Sequence, residues 1–181
     1  MKYPNSRFSL LIRSFCIPVA ALVVFAQVKA ADNLSLKLEI GRALDKGVTW
    51  LNGEQNASSG NWGEPEYPAL TGLALRATLG HPESTMVGKF AKNQKAGFEF
   101  LMSKVQSDGG IYGKGLASYN TSICMMALLQ AKDAKYEETI RKARKFLINQ
   151  QADFDKKGEL DNTFDGGVGY GSRWAHSDLS N

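Results

Sequence analysis

Lys46-Gly47-Val48-Thr49-Trp50-Leu51, then Gln55, then Gly60-Asn61-Trp62, is the stretch that decides the fold. It runs from Lys and a small residue to an aromatic–aliphatic pair, then a Gln and a Gly-x-Trp ending. The pattern returns as Lys95-Ala96, Phe100-Leu101, Gln106 and Gly110-Ile111-Tyr112. It returns again as Lys142-Ala143, Phe146-Leu147, Gln151 and, after an insert, Gly166-Gly167-Val168-Gly169-Tyr170. Leu51 and Leu101 stand 50 residues apart, and Leu101 and Leu147 stand 46 apart. Repeats of this length are supersecondary units that bury their apolar faces on one another.

Between the motifs, two kinds of helix alternate. The first is amphipathic. Leu36, Ile40, Ala43, Leu44, Val48 and Leu51 share one face, as do Val87, Phe90, Phe98, Leu101 and Val105, and then Tyr136, Ile140, Ala143 and Leu147. The second kind is apolar nearly all round: Tyr67 to Leu79, and Tyr119 to Ala131 with its unbroken run from Ile123 to Leu129. A helix without a polar face needs protein or an apolar ligand around it. Ser177-Asp178-Leu179-Ser180-Asn181 reads as the start of a third such helix, with Ser177 or Asp178 as N-cap. Gly-rich loops join the helices. The expectation is an all-α chain in which wet outer helices alternate with buried inner ones.

The first 30 residues read as a secretory signal peptide, and residues 31–181 as the domain. Lys2, Arg7 and Arg13 precede an apolar run from Phe15 to Phe25, and Val28-Lys29-Ala30 supplies small residues for cleavage. The run is too short for a stable membrane span after processing. The sequence has 22 basic and 18 acidic side chains, and four of the basic ones (Lys2, Arg7, Arg13, Lys29) lie in the signal. The remainder is balanced, so the basic pI gives no argument for nucleic acid as a partner. Of the two cysteines, Cys16 falls in the signal and Cys124 stands alone in the domain.

The first repeat, Lys46 to Trp62, resembles the QW motif of squalene-hopene and oxidosqualene cyclases. It is also similar to the repeats of protein prenyltransferase beta subunits. The resemblance covers most of residues 43 to 181, with Tyr112 and Tyr170 where the motif carries Trp. It implies an α/α toroid with inner helices around an apolar cavity. Trp50, Gln55, Trp62, Gln106, Tyr112, Gln151 and Tyr170 are then the structural repeat residues. A Gln amide can satisfy backbone groups at a helix end, and an aromatic ring can cover apolar surface beside it. Trp62, Tyr67, Tyr112, Tyr119, Tyr170 and Trp174 are the candidates for facing an apolar, isoprenoid-like ligand, through ring faces that attract cations.

The chemistry of those families is not written in the chain. The Asp-x-Asp-Asp acid of the cyclases has only Asp153-Phe154-Asp155-Lys156 as a counterpart. The Asp-x-Cys zinc pair of the prenyltransferases is replaced by Ser122-Ile123-Cys124, and His81 and His176 have no ligand-spaced neighbours. No metal and no cofactor are expected. The insert from Asp153 to Phe164 partly resembles a calcium loop but puts Lys157 and Phe164 at ligand positions. Gly53-Glu54-Gln55 resembles the end of the thioester sequence of complement-type proteins, but Asn52 stands in place of the thiol, so no thioester can form. Catalytic residues are therefore unknown. Two functions stay open: an exported cyclase-like repeat protein holding an apolar ligand, and a non-catalytic secreted binding or scaffold module. A third, weaker reading is an enzyme acting on polysaccharide, for which no paired carboxylates argue. Two and a half helix pairs cannot close a ring, so a missing C-terminal half or a partner is expected to cover the open edge.

Overall fold

The structure, a computed structural model, describes residues 34–151 and 166–171. The expected signal segment, the insert from Asp153 to Phe164, Trp174, His176 and the expected helix start at Ser177 lie outside the described residues. The described residues are all-α, with helix over 65% of them and no strand. No helix among them is long and apolar enough to cross a membrane.

The helices are α1 (34–53), α2 (Pro68–Leu79), α3 (Ser84–Lys89), α4 (Ala91–Ser103), α5 (Ala117–Ala131) and α6 (Glu137–Ile148). A 3₁₀ turn, Ala134–Tyr136, leads into α6. The chain divides into two compact units, Met1–Lys46 and Gly47–Asn181. In the first, the described residues form the start of α1, and Leu36, Ile40 and Leu44 are exposed. The expected buried stripe therefore fails there. Periodicity marks a face that is able to pack but does not supply its partner. Further along α1, Val48 is buried and Leu51 half-buried.

In the second unit, α2 packs on α5 and α4, and α5 packs on α6. Leu75, Leu101, Ile111, Cys124 and Leu128 lie fully buried at the centre. The two nearly all-apolar segments, α2 and α5, form the closest pair. Gly72 makes that possible, since a Cβ there would come within 3.1 Å of Ile123 Cγ2 and 3.4 Å of Cys124 Cα.

The apolar stripe from Val87 to Val105 is not one helix. The chain breaks at Phe90, after Gly88, and resumes as α4. Gln94 Nε2 reaches back to donate to Val87 O at 3.1 Å, which satisfies a carbonyl at the end of α3. Helix α2 begins with Pro68, whose missing N–H costs nothing in the first turn. The next amide, Ala69 N–H, donates to Asn120 Oδ1 at 3.0 Å. Asn120 is fully buried, and its Nδ2 donates to Gly115 O and Leu116 O. One side chain thus serves the N-terminal ends of both α2 and α5. Glu137 and Glu138 occupy the first turn of α6, where the helix dipole favours acids.

Candidate functional site

Helix α1 ends at a joint built from the first motif. Gln55 Nε2 donates to Gly60 O at 2.7 Å and to Asn93 O of α4 at 2.9 Å. Asn93 Nδ2 returns a bond to Gln55 Oε1 at 2.7 Å. Trp62 is buried, and its Nε1 donates to Leu51 O at 2.6 Å. Its backbone N–H donates to Thr71 Oγ1 of α2 at 3.0 Å. The motif thereby ties together α1, α4 and α2. Gly60 has φ +75°, and a Cβ there would sit 2.6 Å from Ala96 O of α4. Only glycine both adopts that conformation without strain and lets the loop lie on the helix.

The same joint recurs, with a register set by the hydrogen bonds. Gly109, at φ +91°, seats on Lys142 O of α6 as Gly60 seats on Ala96 O. Ile111 N–H donates to Thr121 Oγ1 at 2.9 Å, as Trp62 N–H does to Thr71. Isolated antiparallel bridges pair Val105 with Ile111 and Gln151 with Val168. Trp62, Ile111 and Val168 are therefore equivalent, and so are Gln55, Val105 and Gln151. Tyr112 and Tyr170 lie beyond the position of Trp62, so the Gly-x-aromatic spacing misplaces them. Gln106 lies one past the position of Gln55 and donates to Tyr112 O at 2.8 Å instead of crossing to α6. Gln151 keeps the first-repeat bond, to Gly166 O at 2.9 Å.

The aromatic candidates separate into two groups. Trp62 is spent in its joint. Tyr112 stacks near Phe146, with centroids 5.7 Å apart, and donates through its hydroxyl to Asp108 Oδ2 at 2.7 Å. That bond, with burial and the Asp108 charge, pushes the phenol pKa up to about 12. The other group gathers where the apolar helices begin. Tyr67 is exposed immediately before α2, and Tyr119 in the first turn of α5 lies 6.1 Å from Tyr170, centroid to centroid. Trp174 is outside the described residues.

A further set, not marked by residue type, lies on the apolar helices themselves. Leu70 and Leu73 of α2 are 41% and 44% exposed, and Met126 and Leu129 of α5 are 44% and 48% exposed. Each pair has the i, i+3 spacing of one helix face. An all-apolar segment announces that it needs cover, but the sequence alone does not say which face is left open.

The remaining groups offer little chemistry. Burial pushes the Cys124 thiol pKa upward, away from the reactive thiolate. Among the described residues, no group of three or more His, Cys, Asp or Glu is placed to hold a metal. A polar cleft of about 310 Å³ is lined by Asn52, Gln55, Lys92 and Asn93. Its Gln55 and Asn93 amides are already bonded to each other across the first joint. Compared with known proteins, the chain matches no protein-family model, no curated protein and no solved structure.

Proposed function

We propose that the chain is an exported repeat protein of the squalene-cyclase and prenyltransferase kind, part of an α/α toroid, and that it holds an apolar, isoprenoid-like ligand against α2 and α5. One observation carries this reading: Leu70, Leu73, Met126 and Leu129 are exposed on two helices that pack together. Leaving such side chains in water forfeits roughly 25 cal/mol per Å² of apolar surface. Open apolar faces of this kind mark ligand or partner sites. Tyr67 just before α2, and Tyr119 with Tyr170 near the start of α5, add aromatic surface at the ends of the same helices. Export rests on the basic start and apolar run of residues 1–30.

The test is titration of the purified protein with a fluorescent farnesol derivative. Saturable binding that is lost in Leu73→Asp and in Met126→Asp is expected. Binding that both variants leave intact would sink the reading. N-terminal sequencing of protein recovered from the cell envelope should begin near Ala31; an intact Met1 would remove the export step.

A non-catalytic binding or scaffold module on the same toroid is the second reading. The signal-like residues 1–30 favour it, since cyclases and prenyltransferases act on substrates in or facing the cytosol. Product formation from squalene or farnesyl diphosphate would exclude it.

A further inference from the structure

The acceptor pattern of N-linked glycosylation, Asn-x-Ser/Thr with x other than Pro, occurs three times: Asn33-Leu34-Ser35, Asn56-Ala57-Ser58 and Asn120-Thr121-Ser122. So short a pattern arises by chance, and the surroundings of each asparagine decide what it can do. Asn120 is fully buried, and both ends of its amide are bonded at the starts of α2 and α5. A sugar there would break the core. Asn33 lies outside the described residues.

Asn56 stands in the turn that follows α1, and Asn56, Ala57 and Ser58 are all exposed. Its Oδ1 accepts from Ser58 N–H at 2.9 Å and from Ser59 N–H at 3.1 Å, which closes the turn. Its backbone N–H donates to Asn61 O, and its carbonyl accepts from Gly60 N–H, both at 2.9 Å. The bonds of the turn therefore come from Oδ1 and the backbone. Nδ2 of Asn56 and the hydroxyl of Ser58 bond to nothing among the described residues. A substituent on Nδ2 leaves the turn intact.

Space is at hand as well. Asn56 lines the polar cleft of about 310 Å³ together with Lys92 and Asn93, so a sugar on it meets open, polar surroundings. Trp50, in the last turn of α1 just ahead of it, is 66% exposed. The second repeat has Gln106, Ser107 and Asp108 at the equivalent places, and its turn closes through Asp108 Oδ1, which accepts from Gly110 N–H at 2.9 Å. The joint thus forms without an Asn-x-Ser.

We infer that Asn56 is a glycosylation site, at which an oligosaccharide transferase of the export route moves a glycan from a lipid diphosphate carrier to Nδ2. The bond from Nδ2 to the sugar's C1 forms as the bond from C1 to the carrier's phosphate oxygen breaks. The amide nitrogen gives up a proton, and the lipid diphosphate leaves with the electron pair. The Ser58 hydroxyl, two residues on, is the group the transferase reads. The transfer follows translocation, so the inference rests on the export reading. It does not depend on the apolar ligand.

The test is peptide mass spectrometry on the full protein recovered from the envelope of the cell that makes it. The peptide spanning Asn56 should be heavier than its sequence by a whole number of sugar residues, with the added mass on Asn56. Asn56→Asp keeps Oδ1 for the turn and removes the nitrogen. Ser58→Ala keeps the backbone N–H and removes the hydroxyl. Both should be recovered unmodified, whereas Ser58→Thr should stay modified, and circular dichroism should show all three folded. The N-terminus separates this inference from the reading beneath it. A chain that begins near Ala31 with a bare Asn56 overturns the glycosylation site alone. A chain that keeps Met1, with a bare Asn56, overturns export and the site together. Sugar that persists on Asn56 in Ser58→Ala overturns the role of Ser58, and the assignment with it.

Discussion

The indole N–H of Trp62 closes on the carbonyl of Leu51 across 11 residues, at 2.6 Å. Leu51 O also accepts from Glu54 N–H at 3.2 Å, so it keeps a partner if the indole is removed. Trp62→Phe should therefore cost only about 1 kcal/mol, the net worth of one hydrogen bond. Trp62→Ala should cost about 3–5 kcal/mol, because a buried ring is lost from the core. Denaturant unfolding of the two variants checks both numbers. Equal losses would mean that the bond, not the ring, holds the joint.

Glycines divide by what surrounds them. Gly60→Ala and Gly109→Ala place a methyl within 2.6 and 2.9 Å of a helix carbonyl, in a left-handed backbone. Each should destabilise by at least about 1–3 kcal/mol. Gly88→Ala in α3 meets nothing within 4 Å and should stabilise by about 0.5–1 kcal/mol. Thermal melts that rank the three otherwise would refute the seating of the loops.

Tyr112 sets an alkaline limit. Its phenol pKa is raised to about 12 in the folded chain, first by the bond to Asp108. A raised pKa contributes stability that is fully present below the ordinary value of about 10 and lost as pH rises through about 12. Tyr112→Phe should flatten the fall in unfolding midpoint across that window. An unchanged fall in the variant would show that the bond to Asp108 contributes nothing.

Cys124 should react slowly. The thiol is fully buried, and burial raises its pKa. An aromatic disulfide reagent should label it on the timescale of unfolding, and at once in denaturant. Fast labelling of the native chain would mean that α5 opens locally.

The helical character was legible because the spacing of residues such as Phe98, Leu101, Ala143 and Leu147 is a local property. Gln55 and Trp62 were legible as joint residues because their bonds to Gly60 and Leu51 close within the motif itself, whereas the bond from Gln55 to Asn93 was not. The register of the later joints was not. Ile111 and Val168 take the place of Trp62, and what identifies them is a bond to Thr121 or a bridge to Gln151, not an aromatic letter. The break at Phe90 was hidden for a related reason, since Val87 and Phe98 keep their phase on either side of it. Among the proposed ligand residues, Tyr67, Tyr119 and Tyr170 were found by type. Leu70, Leu73, Met126 and Leu129 were not, because which side of an apolar helix stays uncovered depends on its neighbours.

Asn120 has a bearing on the order of events during synthesis. In the first turn of α2, Ala69 N–H donates to a side chain 51 residues further along the chain. While residue 120 is still unmade, Ala69 N–H lacks that partner, so a nascent chain stalled before residue 120 should present the start of α2 to proteases more readily than a longer one.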